Sequence, residues 1–175
     1  MEIEHARRLD PLSLIIAADR GVMLYYSRQY DRSLDQFRTV LEMDPKFSRA
    51  QMIYAIYVQK GMFEQARSVN THIPIDSPWH WVNSAYIEAS SGRRAEAARA
   101  VLKLRELDEK REVDAATFAM ACAITGRTDE SLAWLEKAFA QHSNVMVALR
   151  VDPLFDSLRD NSRFQNLLRK VGLVP

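Results

Sequence analysis

The sequence predicts an all-α fold: an α-α superhelix of stacked antiparallel helix pairs, finished by a C-terminal capping helix. Three observations predict it. Asp10-Pro11 and Asp44-Pro45 stand 34 residues apart, and Pro78 follows after another 33. A period of that length suits a helix–turn–helix unit that buries its apolar face only by stacking on its neighbours. The small residues Ser33, Ala66, Ala97 and Ser131 recur at steps of 33, 31 and 34. No run alternates apolar and polar residues as a half-buried strand does.

The elements follow in order within a single domain, 1–175. Residues 1–11 read as the tail of a preceding repeat's second helix, closed by Pro11. Repeat one spans 12–46. Its first helix starts at Leu14 and carries Gly21 and Leu24; its second carries Tyr30, Ser33 and Phe37. Small Gly21 and Ser33 let the two helices approach, and Phe37 fills the space beside them. Repeat two, 47–77, places Tyr57 on its first helix, Gly61 in the turn, then Phe63 and Ala66. Repeat three, 78–111, has Trp81, Ala85, Gly92 in the turn and Ala97. Repeat four, 112–143, has Ala119, Gly126 in the turn, Ser131, Leu135 and Ala138. A glycine in each of these turns accepts the left-handed conformation without a Cβ penalty. Asp10-Pro11, Asp44-Pro45 and Ser77-Pro78 each offer an N-cap followed by Pro at the first helical position. Residues 144–175 form capping helices: a short one over 153–159 and a longer one over 162–171. Phe164, Leu167, Leu168 and Val171 make an i, i+3, i+4, i+7 stripe suited to covering the last repeat's open face.

Charge narrows the partners. Lys and Arg total 24 against 23 Asp and Glu, a net charge of +1. That balance supplies no field of one sign, so neither nucleic acid nor a membrane surface is expected as a partner. The basic residues within 93–111 alternate with Glu96, Glu106, Asp108, Glu109 and Glu112, which predicts a solvated helix face laced with i,i+4 pairs. The apolar stretch Leu12–Ala18 is far short of the roughly 20 residues of a membrane span. Glu2, Glu4 and Asp10 break up the N-terminus, so no signal peptide is expected. The one cysteine, Cys122, excludes an internal disulfide, and a cytoplasmic location is expected.

Catalytic chemistry is not expected. His5, His72, His80 and His142 are scattered, without the i, i+4 spacing of a helical metal site. His72 and His80 read as surface or capping residues. Every glycine stands alone, so no phosphate loop exists. Cys122 falls on the inner side of its helix and reads as a buried small hydrophobe. No catalytic residue, metal or cofactor is assigned, and the protein is read as not an enzyme.

The residues at Gly21, Leu24, Tyr30, Ser33, Phe37 and Pro45, with their counterparts in later repeats, resemble the tetratricopeptide repeat family over most of 12–142. Two positions depart from its pattern: Asn70 stands in place of a large apolar residue, and Glu88 in place of an apolar one. The resemblance implies a right-handed superhelix whose concave face is lined by the first helix of each pair, and a non-catalytic protein–protein interaction module. Carried onto this sequence, it directs Ile15, Val22, Tyr25 and Tyr26, then Gln51 and Gln59, then Trp79 and Tyr86, then Met120 into that groove. None of these is charged, so the clamp that some members use for a partner's C-terminal carboxylate is not expected. An apolar and aromatic groove suits an amphipathic helix or an extended apolar segment of a protein or peptide. Tyr25, Tyr86 and Trp79 have an equal reading as core, while Phe37 and Trp81 are assigned to the core.

Asp152-Pro153, Phe155-Asp156, Leu158-Arg159 and Arg163-Phe164 are similar to the C-terminal tails of bacterial signalling proteins that carry such arrays. There the array commonly follows a winged-helix, kinase or cyclase domain. With the partial first repeat, this implies an alternative: a self-associating sensory or oligomerisation domain of a bacterial transcriptional regulator or kinase.

Overall fold

The computed structural model describes residues 2–10, 12–109 and 113–173. They group into two compact units, Met1–His72 and Ile73–Pro175. Every regular element among the described residues is helical, and no described helix is long and apolar enough to cross a membrane. Pro11, read as the close of a partial repeat, and Glu112, read as the start of repeat four, lie outside the described residues.

The first unit contains α1 (Glu2–Leu9), α2 (Leu14–Tyr26), α3 (Tyr30–Met43), a 3-10 segment (Ser48–Met52) running into α4 (Ile53–Gln59), and α5 (Phe63–Asn70). Helices α2 and α3 close on each other through small residues. Phe37 is fully buried, and its ring lies where a Cβ on Gly21 would be only 3.0 Å away. Ser33 Oγ donates to the carbonyl of Gly21 at 2.6 Å. Val40, Ala50, Ile56 and Ala66 are also fully buried. Asp44 departs from its expected capping role. It ends α3, and its carboxylate accepts from the backbone N–H of Lys46 at 2.9 Å, so it makes a local turn. The next helix starts instead from Phe47, whose side chain offers no acceptor, and its first residues wind as a 3-10 segment.

One turn recurs in both units. In the first, Gln29 N–H bonds to Leu24 C=O at 2.9 Å while Arg28 N–H bonds to Tyr25 C=O at 2.9 Å. This is the Schellman arrangement, which satisfies the last carbonyls of a helix. The same pair of bonds closes the turns at Gly61, Gly92 and Gly126. These glycines have φ of 71°, 81° and 74°; Arg28, in the equivalent place, has φ of 61°.

The second unit contains α6 (Pro78–Ser90), α7 (Arg94–Asp108), α8 (Ala115–Ile124), α9 (Thr128–Ala140), 3-10 segments at Asn144–Ala148 and Pro153–Leu158, and α10 (Ser162–Val171). Ser77 is the N-cap residue of α6 and Pro78 its first residue, as expected, although the Ser77 side chain accepts no capping bond. Ser131 Oγ donates to Ala119 C=O at 2.8 Å, repeating the bond between Ser33 and Gly21. Leu104, Leu135, Leu149, Phe155, Leu158 and Phe164 are fully buried in one continuous core. Phe118 stacks on Trp134 with ring centres 4.8 Å apart. The expected stripe of α10 is realised: Phe164, Leu167 and Leu168 are buried, and Val171 packs partly against the same core. The 3-10 segment Pro153–Leu158 packs on α8 and α10 on α9, where Arg163 also pairs with Glu136 at 3.1 Å. Residues 153–158 form 3-10 turns capped by Asp152, whose carboxylate accepts from Leu154 N–H at 2.9 Å.

Asp10 does not cap the first helix of repeat one: α2 starts at Leu14, with Ser13 as its N-cap residue. Three further expectations need correcting. Trp81 is only partly buried, and its indole N–H donates to Ile75 C=O at 2.8 Å. A polar ring edge of this kind is accommodated best at the margin of a core. The α7 charges do not form an i,i+4 lattice among the described residues. Lys103 pairs with Glu106 one turn along at 2.7 Å, whereas Arg105 reaches across to Glu130 of α9 at 3.2 Å. His80 is part-buried and bonds through Nδ1 to Ile73 C=O at 2.9 Å, while His72 is exposed.

Candidate functional site

The groove residues expected from the sequence fall into two sets. In the first unit, Ile15 is exposed and Val22 and Tyr26 are half-buried. Their spacing of seven and four places them on one face of α2. Tyr25 is instead buried, with its ring 5.5 Å from that of Tyr26 and 5.8 Å from that of Tyr30. Gln51 and Gln59 are half-buried, and Gln51 spends an amide N–H on Pro45 C=O at 3.1 Å. An ion pair joins Asp19 of α2 to Arg49 of the adjoining 3-10 segment. This surface is therefore not wholly apolar, because charge enters from residues beside the predicted positions.

In the second unit, Trp79 is 48% exposed, whereas Tyr86 and Met120 are buried. Trp79 stands in the first turn of α6. It forms one wall of a cavity of about 420 Å³. Val113, Asp114 and Thr117 at the start of α8 form a second wall, and Ser143 and Asn144, after α9, a third. Asp114 is the N-cap of α8; its carboxylate accepts from Ala116 N–H at 2.7 Å and from Ser143 Oγ at 3.3 Å. The cavity thus combines an aromatic face, a carboxylate, a hydroxyl and an amide. Such a mixture of apolar wall and a few placed polar groups is what holds a side chain and its adjoining peptide group.

Tyr86 and Met120 are buried and do not line that cavity. Asp114, Ser143 and Asn144 were not legible as site residues. Only Asp114 left a signal, as an acidic residue immediately before the apolar run of α8.

Cys122 is buried, and burial pushes its thiol above the ordinary value. Nearby Arg127 opposes that rise and Glu130 adds to it. A protonated, enclosed thiol is a poor nucleophile. Among the described residues no group of three His, Cys, Asp or Glu side chains is placed to hold a metal ion.

No protein-family model matches the sequence, and no curated protein matches it. Among solved structures it resembles YrrB, a tetratricopeptide repeat protein with an unusual peptide-binding site. The TM-score is 0.52 at 16% sequence identity, over 98% of this chain and 91% of that one. The fold is that of a tetratricopeptide repeat protein. Helices α6 and α8 pack on each other in the second unit. The cavity beside Trp79 opens where their N-terminal turns meet.

Proposed function

We propose that the chain is a non-catalytic protein-interaction module that binds a protein or peptide segment, anchored in the second unit by Trp79. The observation that carries this reading is a tryptophan half exposed over a cavity walled by the starts of two neighbouring helices. An uncovered indole beside a recess is the kind of group on which binding energy concentrates. The peptide-binding site of YrrB, a protein of similar fold, lends support. In the first unit Ile15, Val22 and Tyr26 offer a second accessible face, whereas Tyr25, Tyr86 and Met120 are buried. The partner's bound segment is apolar or amphipathic, with a backbone N–H or cationic group for Asp114. Neither nucleic acid, a membrane nor a cofactor has a role in this reading, and a cytoplasmic location accords with it.

Display of random peptides against the whole chain, followed by titration calorimetry of the tightest peptide, tests the reading. Trp79→Ala is expected to weaken binding by about tenfold or more, the loss typical of a hot-spot aromatic. Equal affinity for the wild type and the variant would remove Trp79 from the site.

A second reading is self-association, as in an oligomerising domain of a bacterial regulator or kinase. Leu9, Leu12 and Ile15 favour it, being exposed close together in sequence at 74%, 77% and 49%. Light scattering distinguishes the two: a dimer that Leu12→Glu disperses supports self-association, and a monomer at high concentration opposes it.

A further inference from the structure

The second unit holds another cavity, of about 730 Å³, which shares no lining residue with the one beside Trp79. One wall is a stripe of α7 that includes Arg94, Val101, Leu102 and Arg105; the other is the turn between α8 and α9, with Ile124 and Arg127. The stripe follows from helical periodicity, since spacings of three, four and seven keep residues on one face. Val101 is buried at its base, Ile124 is half-buried, and Leu102 is 59% exposed.

The charges around this apolar floor are unbalanced. Arg105 and Arg127 both reach Glu130 Oε2, each at 3.2 Å, so two guanidinium groups share one carboxylate. Arg94 is exposed at the mouth and has no ion-pair partner among the described residues. Three cations therefore surround one anion, in a chain whose net charge is only +1. Guanidinium groups pair with carboxylates through two parallel N–H bonds, a geometry that Glu130 alone cannot supply to all three.

We propose that this cleft between α7 and the α8–α9 turn docks an acidic segment of a partner protein, with an aliphatic side chain against Leu102, Val101 and Ile124 and carboxylates at Arg94 and Arg127. Charge complementarity selects the acidic partner. The exposed Leu102 selects an occupant with an apolar side chain, which a bare phosphate or a nucleic-acid backbone lacks. The cleft is open to solvent, so a bound group keeps part of its surface wet. Affinity then has to come from a ligand that continues along α7, which a peptide chain does.

Fluorescence anisotropy with a labelled peptide carrying a leucine pair flanked by glutamates tests the proposal on the whole chain. Arg94→Glu and Leu102→Asp change exposed residues, and circular dichroism checks that each variant keeps its helicity. Each is expected to weaken binding by about tenfold or more, and rising salt to weaken it further. Trp79→Ala is expected to leave it unchanged, so this site and the one beside Trp79 fail separately. A peptide with lysines in place of glutamates is expected not to bind. Absence of binding to the wild type, equal binding by both variants, or loss through Trp79→Ala alone would overturn the proposal. Full displacement by inorganic phosphate, together with equal binding of a glutamate peptide lacking leucine, would reduce the cleft to a general anion site and overturn it as well.

Discussion

Gly21 packs against Phe37 so closely that a Cβ would stand 3.0 Å from both Cε1 and Cζ of the ring. In an open helix, Gly to Ala gains about 0.5–1 kcal/mol through backbone entropy. Here the methyl group meets a fully buried ring that has little room to withdraw. Overpacking of that kind costs about 1–3 kcal/mol. Gly21→Ala is therefore expected to lower stability, measured by urea denaturation, despite the better helix former. Phe37→Ala is expected to lose about 3–5 kcal/mol through the cavity it leaves. Gly21→Ala combined with Phe37→Leu is expected to lose less than the sum of the single changes, because the smaller side chain relieves the clash.

Ser33 and Ser131 each bond a carbonyl of the preceding helix, whereas alanines, Ala66 and Ala97, stand in the equivalent places. The fold thus tolerates the loss of this bond. Ser33→Ala and Ser131→Ala are each expected to cost about 0.5–1.5 kcal/mol, the net worth of one buried hydrogen bond. A loss as large as that of Phe37→Ala would mean that these serines do more than bond one carbonyl.

Arg28 occupies the left-handed place that Gly61, Gly92 and Gly126 fill in their turns and that His142 fills after α9. A Cβ there costs about 1–2 kcal/mol, offset partly by the greater unfolded-state entropy of glycine. Arg28→Gly is expected to raise stability by about 0.5–1 kcal/mol. Gly92→Ala and Gly126→Ala are expected to lower it by a similar amount. Neither glycine has an atom near its missing Cβ, so φ rather than space decides the outcome.

The thiol of Cys122 titrates above its ordinary value of 9.0, chiefly because it is buried. A raised value means that the folded state holds the proton more tightly than the unfolded state does. The resulting stability is fully present below the unfolded thiol's value and is lost as pH rises through the folded one. Denaturation midpoints are expected to fall less between about pH 8 and about pH 10.5 in Cys122→Ala than in the wild type. A thiol reagent is expected to label the native protein slowly and the urea-unfolded protein at once.

The helix hairpins were legible because their signals are local. Gly61, Gly92 and Gly126 punctuate the turns, and Phe164, Leu167 and Leu168 lie on one face of α10 by spacing alone. Arg28 carries no such signal, although its turn is the same. Asp44 has the sequence signal of an N-cap, yet its carboxylate accepts from Lys46 N–H only two residues along and makes a local turn instead. The site was less legible. Tyr25 and Trp79 have the same claim to the groove in sequence, yet one is buried and the other half exposed. What covers a residue is set by neighbouring elements, not by its place in a repeat. For the same reason the pairing of Arg105 with Glu130, on different helices, could not be seen from α7 alone.

The central claim is that a partner segment binds beside Trp79. Its most direct test is an amide and indole chemical-shift map of the labelled chain, titrated with the tightest display-selected peptide. The largest shifts are expected at the Trp79 indole N–H and at the amides of Val113, Asp114, Thr117, Ser143 and Asn144. A binding peptide that leaves all of these unmoved would contradict the claim.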